Sequence, residues 1–127
     1  MVSPRRLAFA ALAFTAVLAS CGSKESSTGT ATTGEKLFAS QNCVTCHKTD
    51  GSGNNFGPGI QQAAEHWTRE ALAAYFADPA GTVAKDPRLT LLSRNYNMKM
   101  PPVRGLSDEQ RLQLADHVLS LGAKPAK

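Results

Sequence analysis

Cys43-Val-Thr-Cys46-His47 places two thiols and an imidazole within five positions of this 127-residue chain. On a helical turn, positions i, i+3 and i+4 share a face, so the three side chains point at one object. Four chemistries compete for such a set. C-x-x-C-H is the attachment pattern of a c-type haem, in which the thiols add to the two vinyl groups as thioethers and the imidazole binds iron. A thioredoxin-like redox pair needs a βαβ setting, and the chain has no strand pattern to supply one. A zinc site needs a second pair of ligands at finger spacing, and neither His66 nor His117 brings a partner motif. A structural disulfide leaves His47 without a role. Haem attachment is the one reading that uses all three side chains.

The surrounding elements read as helices. Residues 34–41 set Leu37 and Phe38 against charged neighbours, as in a short amphipathic helix. Three glycines and two asparagines between Asp50 and Pro58 require a loop. Thr68 is a suitable N-cap for a helix over Arg69–Ala77, whose Leu72, Tyr75 and Phe76 share a face, and Asp78-Pro79 should end it. The segment 79–102 contains four prolines and is expected to be mostly irregular, with at most a turn or two of helix over 89–94. Ser107-Asp-Glu-Gln110 has the form of a capping box and opens the clearest helix. Its apolar positions fill about half the circumference, so it should pack on more than one partner. No segment alternates with a period of two. The expected fold class is all-α, rich in loops.

The N-terminus reads as an address. Arg5 and Arg6 precede an uncharged apolar run over 7–19, too short to span a bilayer, which ends in Leu18-Ala19-Ser20-Cys21. Those last four residues resemble the bacterial lipobox, which implies a signal peptide over 1–20 and a lipidated Cys21 as the first mature residue. Ordinary signal cleavage after Ser20 would put Leu18 at −3, where small residues are preferred. Lipidation also accounts for a third cysteine in a secreted chain. Residues 22–33 are small or polar and form a tether with a reach of roughly 20 Å. The two or three acyl chains of such lipoproteins hold firmly to a membrane. The expected organisation is therefore signal 1–20, anchor and linker 21–33, folded domain 34–122 and a tail over 123–127. Gly22 resembles outer-membrane sorting in enteric bacteria, and the choice of membrane stays open.

Over nearly the whole domain the chain resembles the small monohaem class I cytochromes c. Gly34-Glu-Lys-Leu-Phe38 followed by Cys43-x-x-Cys46-His47 is similar to that family's N-terminal helix leading into its haem motif. Phe56-Gly57-Pro58 resembles the loop whose proline carbonyl accepts a hydrogen bond from the proximal histidine. Met100-Pro101 resembles the distal ligand, with the capping-box helix as the C-terminal helix packed on the N-terminal one. The resemblance implies a cytochrome c fold wrapped around one covalent haem c, with His47 and Met100 as axial ligands. Met98 is the competing methionine; the proline after Met100 fixes chain direction there and favours Met100. His117 stands where the family usually has an aromatic residue against the first helix, and reads as a half-buried packing residue. His66 reads as surface or loop, Trp67, Tyr75 and Tyr96 as core or haem-pocket lining. Lys48 and Lys99 adjoin the ligand segments, either as a basic docking rim or as ordinary solvated lysines.

His/Met ligation implies a single-electron carrier rather than an enzyme, membrane-tethered outside the cytoplasm and serving redox partner proteins as a monomer or within a complex. Two alternatives remain: the electron-entry subunit of a larger periplasmic redox enzyme, or a ligand-sensing haem protein with a displaceable methionine. The gas-binding cytochromes c prime carry their haem motif near the C-terminus, which weighs against the latter. The overall charge of +4 comes from 14 Lys+Arg against 10 Asp+Glu. Within 34–122 it falls to nine against nine. The basicity belongs to the signal and tail, so it gives no reason to invoke nucleic acid.

Overall fold

The computed structural model describes residues 32–123. The expected signal peptide, Cys21, the linker up to residue 31 and the tail over 124–127 lie outside the described residues. Thr32 opens the first helix, α1 (Thr33–Ser40), its hydroxyl accepting from the Glu35 amide at 3.1 Å. The single turn α2 (Cys43–His47) follows at once. A loop and a 3-10 turn (Ala63–Glu65) lead to α3 (Arg69–Ala77), capped by Thr68 as its sequence predicts.

The segment 79–102 departs from expectation. It contains two helices, α4 (Pro79–Lys85) and α5 (Pro87–Ser93), rather than mostly irregular chain. The reason is the repeated Asp-Pro pair. Asp78 and Asp86 are N-caps whose carboxylates accept from Gly81 N–H (2.9 Å) and from Arg88 and Leu89 N–H (2.8 and 3.2 Å). Each following proline sits at the first helical position, where its missing N–H would have had no partner and its fixed φ already suits the helix. Asp78-Pro79 thus ends α3 and starts α4. Between α5 and the last helix, irregular chain runs over residues 94–107.

The last helix, α6 (Asp108–Ser120), has the capping box its sequence predicts: Ser107 Oγ accepts from Gln110 N–H at 3.2 Å, and Gln110 Oε1 accepts from Ser107 N–H at 2.9 Å. It packs against α1, α3 and the 3-10 turn, with Leu114 and Ala115 fully buried. Arg69 clamps Asp116 through two parallel N–H bonds of 2.6 and 3.0 Å, joining α3 to α6. The fold is all-α; among the described residues the only β feature is an isolated bridge between Asn54 and Gly57. No described helix is long and apolar enough to cross a membrane.

The crossing of α1 and α6 depends on Gly34. A Cβ there would lie 2.2 Å from the Gln113 carbonyl oxygen and 2.7 Å from His117 Cβ, and backbone cannot swing aside. Phe38, buried in the same interface, stacks tilted on the His117 ring with centroids 5.2 Å apart. His117 is the half-buried packing residue its sequence position suggests. Burial lowers its pKa, and Glu35 opposes the shift only partly.

Gly34→Ala should therefore lose about 1–3 kcal/mol of stability despite the better helix propensity of alanine, read as a fall in the thermal midpoint. His117 binds its proton more weakly folded than unfolded, so its contribution is present above the unfolded value near 6.5 and is lost as pH falls below it. His117→Phe should flatten that part of the stability curve, measured as thermal midpoints at pH 7.5 and 5.5 beside the parent protein; an unchanged slope contradicts the assignment.

Candidate functional site

α2 puts Cys43, Cys46 and His47 on one turn, between two residues with positive φ. Asn42, at φ 59° and ψ 21°, makes the left-handed turn out of α1, a conformation asparagine tolerates. Lys48, at φ 59° and ψ 166°, lies in a region nearly confined to glycine, at a cost of about 1–3 kcal/mol. That reversal directly after His47 folds the following loop back over the turn.

Hydrogen bonds then fix the loop. Gly53 N–H donates to the His47 carbonyl at 3.0 Å, and Asn54 Nδ2 donates to the Thr45 carbonyl at 2.8 Å. Asn54 N–H and the Gly57 carbonyl close a tight turn at 2.9 Å, while Ile60 N–H reaches the Gly51 carbonyl at 2.7 Å. Gly53, at φ +77°, has no room for a Cβ, which would fall 2.5 Å from the Pro58 carbonyl carbon. The Ser52 hydroxyl and amide hold the Asp50 carboxyl below its usual range. The outcome is a contact of 2.8 Å between His47 Nδ1 and the Pro58 carbonyl oxygen. A carbonyl only accepts, so Nδ1 carries the proton and Nε2 presents its lone pair.

Met100 reaches the same space from the other end of the domain. Lys99 Nζ donates to the Ser93 and Tyr96 carbonyls at 2.5 and 2.8 Å, tying the residue before it to the end of α5. Val103 N–H donates to the Phe76 carbonyl at 2.8 Å, and Arg111 donates to the Leu106 carbonyl at 2.8 Å. The chain is thus pinned on both sides of Met100. Met100 is half-buried, whereas Met98 is 58% exposed.

His47, Met100, Cys43 and Pro58 all line a cavity of about 770 Å³, and all four also line an adjoining one of about 650 Å³ that adds Cys46. Tyr75 and Leu89 likewise belong to both, which makes the two cavities lobes of one cleft. Phe38, Leu72, Phe76, Leu114 and Val118, buried members of the core, form the wall of the first. Trp67 and Tyr75 stack there at 5.0 Å, and the Arg88 guanidinium lies 5.5 Å over the Trp67 ring. Tyr96 lines the second lobe; His66 is exposed at the rim of the first.

Electrostatics at the cleft follow from burial. It pushes the Cys43 thiol up to about 11, so that thiol is protonated at neutral pH, and it raises the Tyr75 hydroxyl while Arg88 opposes it. Cys43 and Cys46 are free thiols. Among the described residues no group of three or more His, Cys, Asp or Glu side chains converges as a metal site, as a zinc centre would need.

The structure therefore brings Cys43, Cys46, His47, Pro58 and Met100 to one cleft, while Cys21 lies outside the described residues. It does not leave Lys99 as a freely solvated lysine. The Arg88–Trp67 stack and the Val103–Phe76 bond were not foreseen; α5 carries Arg88, and only its Asp-Pro start could have revealed it. The donor set suits a haem: two thiols on one turn, an imidazole whose Nδ1 is held by a carbonyl, a thioether lining the same cleft, and an apolar cleft with few charges.

Searches among curated proteins and among solved structures return no significant match. The family model for cytochrome c matches residues 31–122, most of the chain and the whole of the helical domain. Proteins of that family transfer electrons, are not enzymes, carry covalently attached haem c and work outside the cytoplasm. The helices, the C-x-x-C-H turn and this match agree: the chain belongs to the cytochrome c family.

Proposed function

We propose that this protein is a membrane-tethered, single-electron carrier of the class I monohaem type. The observation that carries the reading is the His47 Nδ1–Pro58 contact of 2.8 Å on a cleft that Met100 also lines. Cys43 and Cys46 would hold the haem as thioethers, with His47 and Met100 as its axial ligands. The haem supplies a one-electron couple. His47, oriented through Nδ1, is made a better donor by the Pro58 carbonyl. Met100, a soft donor, would favour the ferrous state and raise the potential. If His47 and Met100 both hold the iron, their side chains would leave no place on it for oxygen or substrate. The apolar walls keep water away, so little solvent reorganises when the charge changes.

The tether belongs to the same reading. Residues 1–20 direct export, Cys21 carries the lipid, and residues 22–31 let the domain, which starts at the Thr32 cap of α1 rather than at Gly34, reach partners near a bacterial membrane, facing the periplasm or the cell surface. The partners are other redox proteins.

Met100→Ala should abolish the iron–sulfur charge-transfer band of the ferric protein and open the ferrous protein to carbon monoxide. Survival of the band contradicts the ligand assignment, and ready binding of carbon monoxide by the unaltered protein contradicts the carrier reading. Cys21→Ala should abolish incorporation of labelled fatty acid and leave the signal uncleaved, read as a larger intact mass, with the absorption spectrum unchanged; fatty acid still incorporated by the variant contradicts the lipid anchor.

A further inference from the structure

Residues 97–102 carry Met100, and they make few bonds of their own. Among the described residues, the only hydrogen bonds made by any group of 97–102 are the two donated by the Lys99 ammonium, to the Ser93 carbonyl at 2.5 Å and to the Tyr96 carbonyl at 2.8 Å. Pro101 and Pro102 have no N–H to give. Downstream, Val103 N–H fastens the chain to the Phe76 carbonyl at the end of α3. Upstream, the Lys99 side chain is the one fastening between Met100 and α5.

The acceptors suit a cation. Ser93 is the last residue of α5, where a helix runs out of N–H groups for its final carbonyls, and a lysine ammonium is a fitting donor to them. α5 has little else to hold it. Among the described helices it packs on α4 alone, and α4 packs only on α5 and α3. The Thr90 hydroxyl donates to the Val83 carbonyl at 2.6 Å and joins the two. α3, α4, α5 and the Met100 segment are thus linked in series, with the Lys99 ammonium as the last link before the methionine.

We propose that Lys99 is a positioning residue for the distal ligand: its ammonium, clasping the end of α5, holds Met100 in place to bind iron and so sets how readily that position opens. The inference rests on the His47/Met100 reading above and adds the residue that governs its distal half. A charged donor makes the stronger kind of hydrogen bond, and no other bond within the segment takes its place. Without it the chain from Asn97 to Met100 regains the freedom of an unbonded loop, and that entropy favours the detached methionine.

Imidazole competes with a bound methionine for ferric iron, so its apparent affinity for the ferric holoprotein reports the fraction of molecules in which Met100 is off. At pH 7, Lys99→Leu should bind imidazole about tenfold more tightly than the parent protein. Lys99→Gln, shorter and uncharged, should shift the affinity in the same direction. Lys99→Arg keeps a cation with several donors and should stay within about twofold of the parent. Lys85→Leu removes the same charge at an exposed position on α4 that lines neither lobe, and should match the parent. Parent-like affinity in both Lys99→Leu and Lys99→Gln overturns the proposal, as does equal tightening in Lys85→Leu or in Lys99→Arg. A parent ferric protein with no iron–sulfur charge-transfer band overturns the His47/Met100 reading itself, and the role of Lys99 with it.

Discussion

The contact between His47 Nδ1 and the Pro58 carbonyl, at 2.8 Å, is the interaction on which the rest of the site depends. It sets the imidazole tautomer and aims Nε2 into the cleft. It also explains the local sequence. Lys48 takes a strained conformation so that the chain can reverse after His47. Gly53 leaves room for the Pro58 carbonyl, and Asn54 ties the loop to the Thr45 carbonyl. Without the loop the imidazole would be free to rotate; without the turn over Cys43–His47 the loop would have nothing to close upon.

The helices serve the same end from a distance. α1 and α6 cross closely because Gly34 has no side chain, and their buried residues Phe38, Leu114 and Val118 form one wall of the cleft. α3 adds Leu72 and Phe76, and the Phe76 carbonyl fixes Val103 and so the loop bearing Met100. Core and site are thus one set of side chains. A domain of this size buries too little of its own surface to be robust by that alone, and a haem stapled to α2 would add both apolar contact and covalent constraint. Substitutions in the core should therefore be felt in the spectrum as well as in stability.

Much of this was legible from residue types alone. Cys43, Cys46 and His47 declare themselves because thioether attachment needs those groups at that spacing. Thr68 and the Ser107–Gln110 box mark helix starts through local hydrogen bonding, which sequence records directly. The helices over 79–93 are hidden from composition because proline breaks helices in most contexts, whereas after a capping aspartate it starts them. The clustering of Trp67 with Arg88, and the capping of α5 by Lys99, depend on that helix and could not be read without it. The proline after Met100 is what sets it apart from Met98 in the sequence; in the structure both line the cleft, Met100 half-buried and Met98 exposed. What sequence hid, in each instance, was a contact between segments far apart in the chain.

The central claim is that Cys43, Cys46 and His47 hold one covalent haem. The full-length chain, produced alongside a bacterial haem-ligation system, can be denatured and its haem assayed on the polypeptide by spectrum and intact mass. The account predicts one haem per chain that resists acid-acetone extraction, and its loss in Cys43→Ala/Cys46→Ala. A colourless product, or a haem that extracts freely, would contradict it.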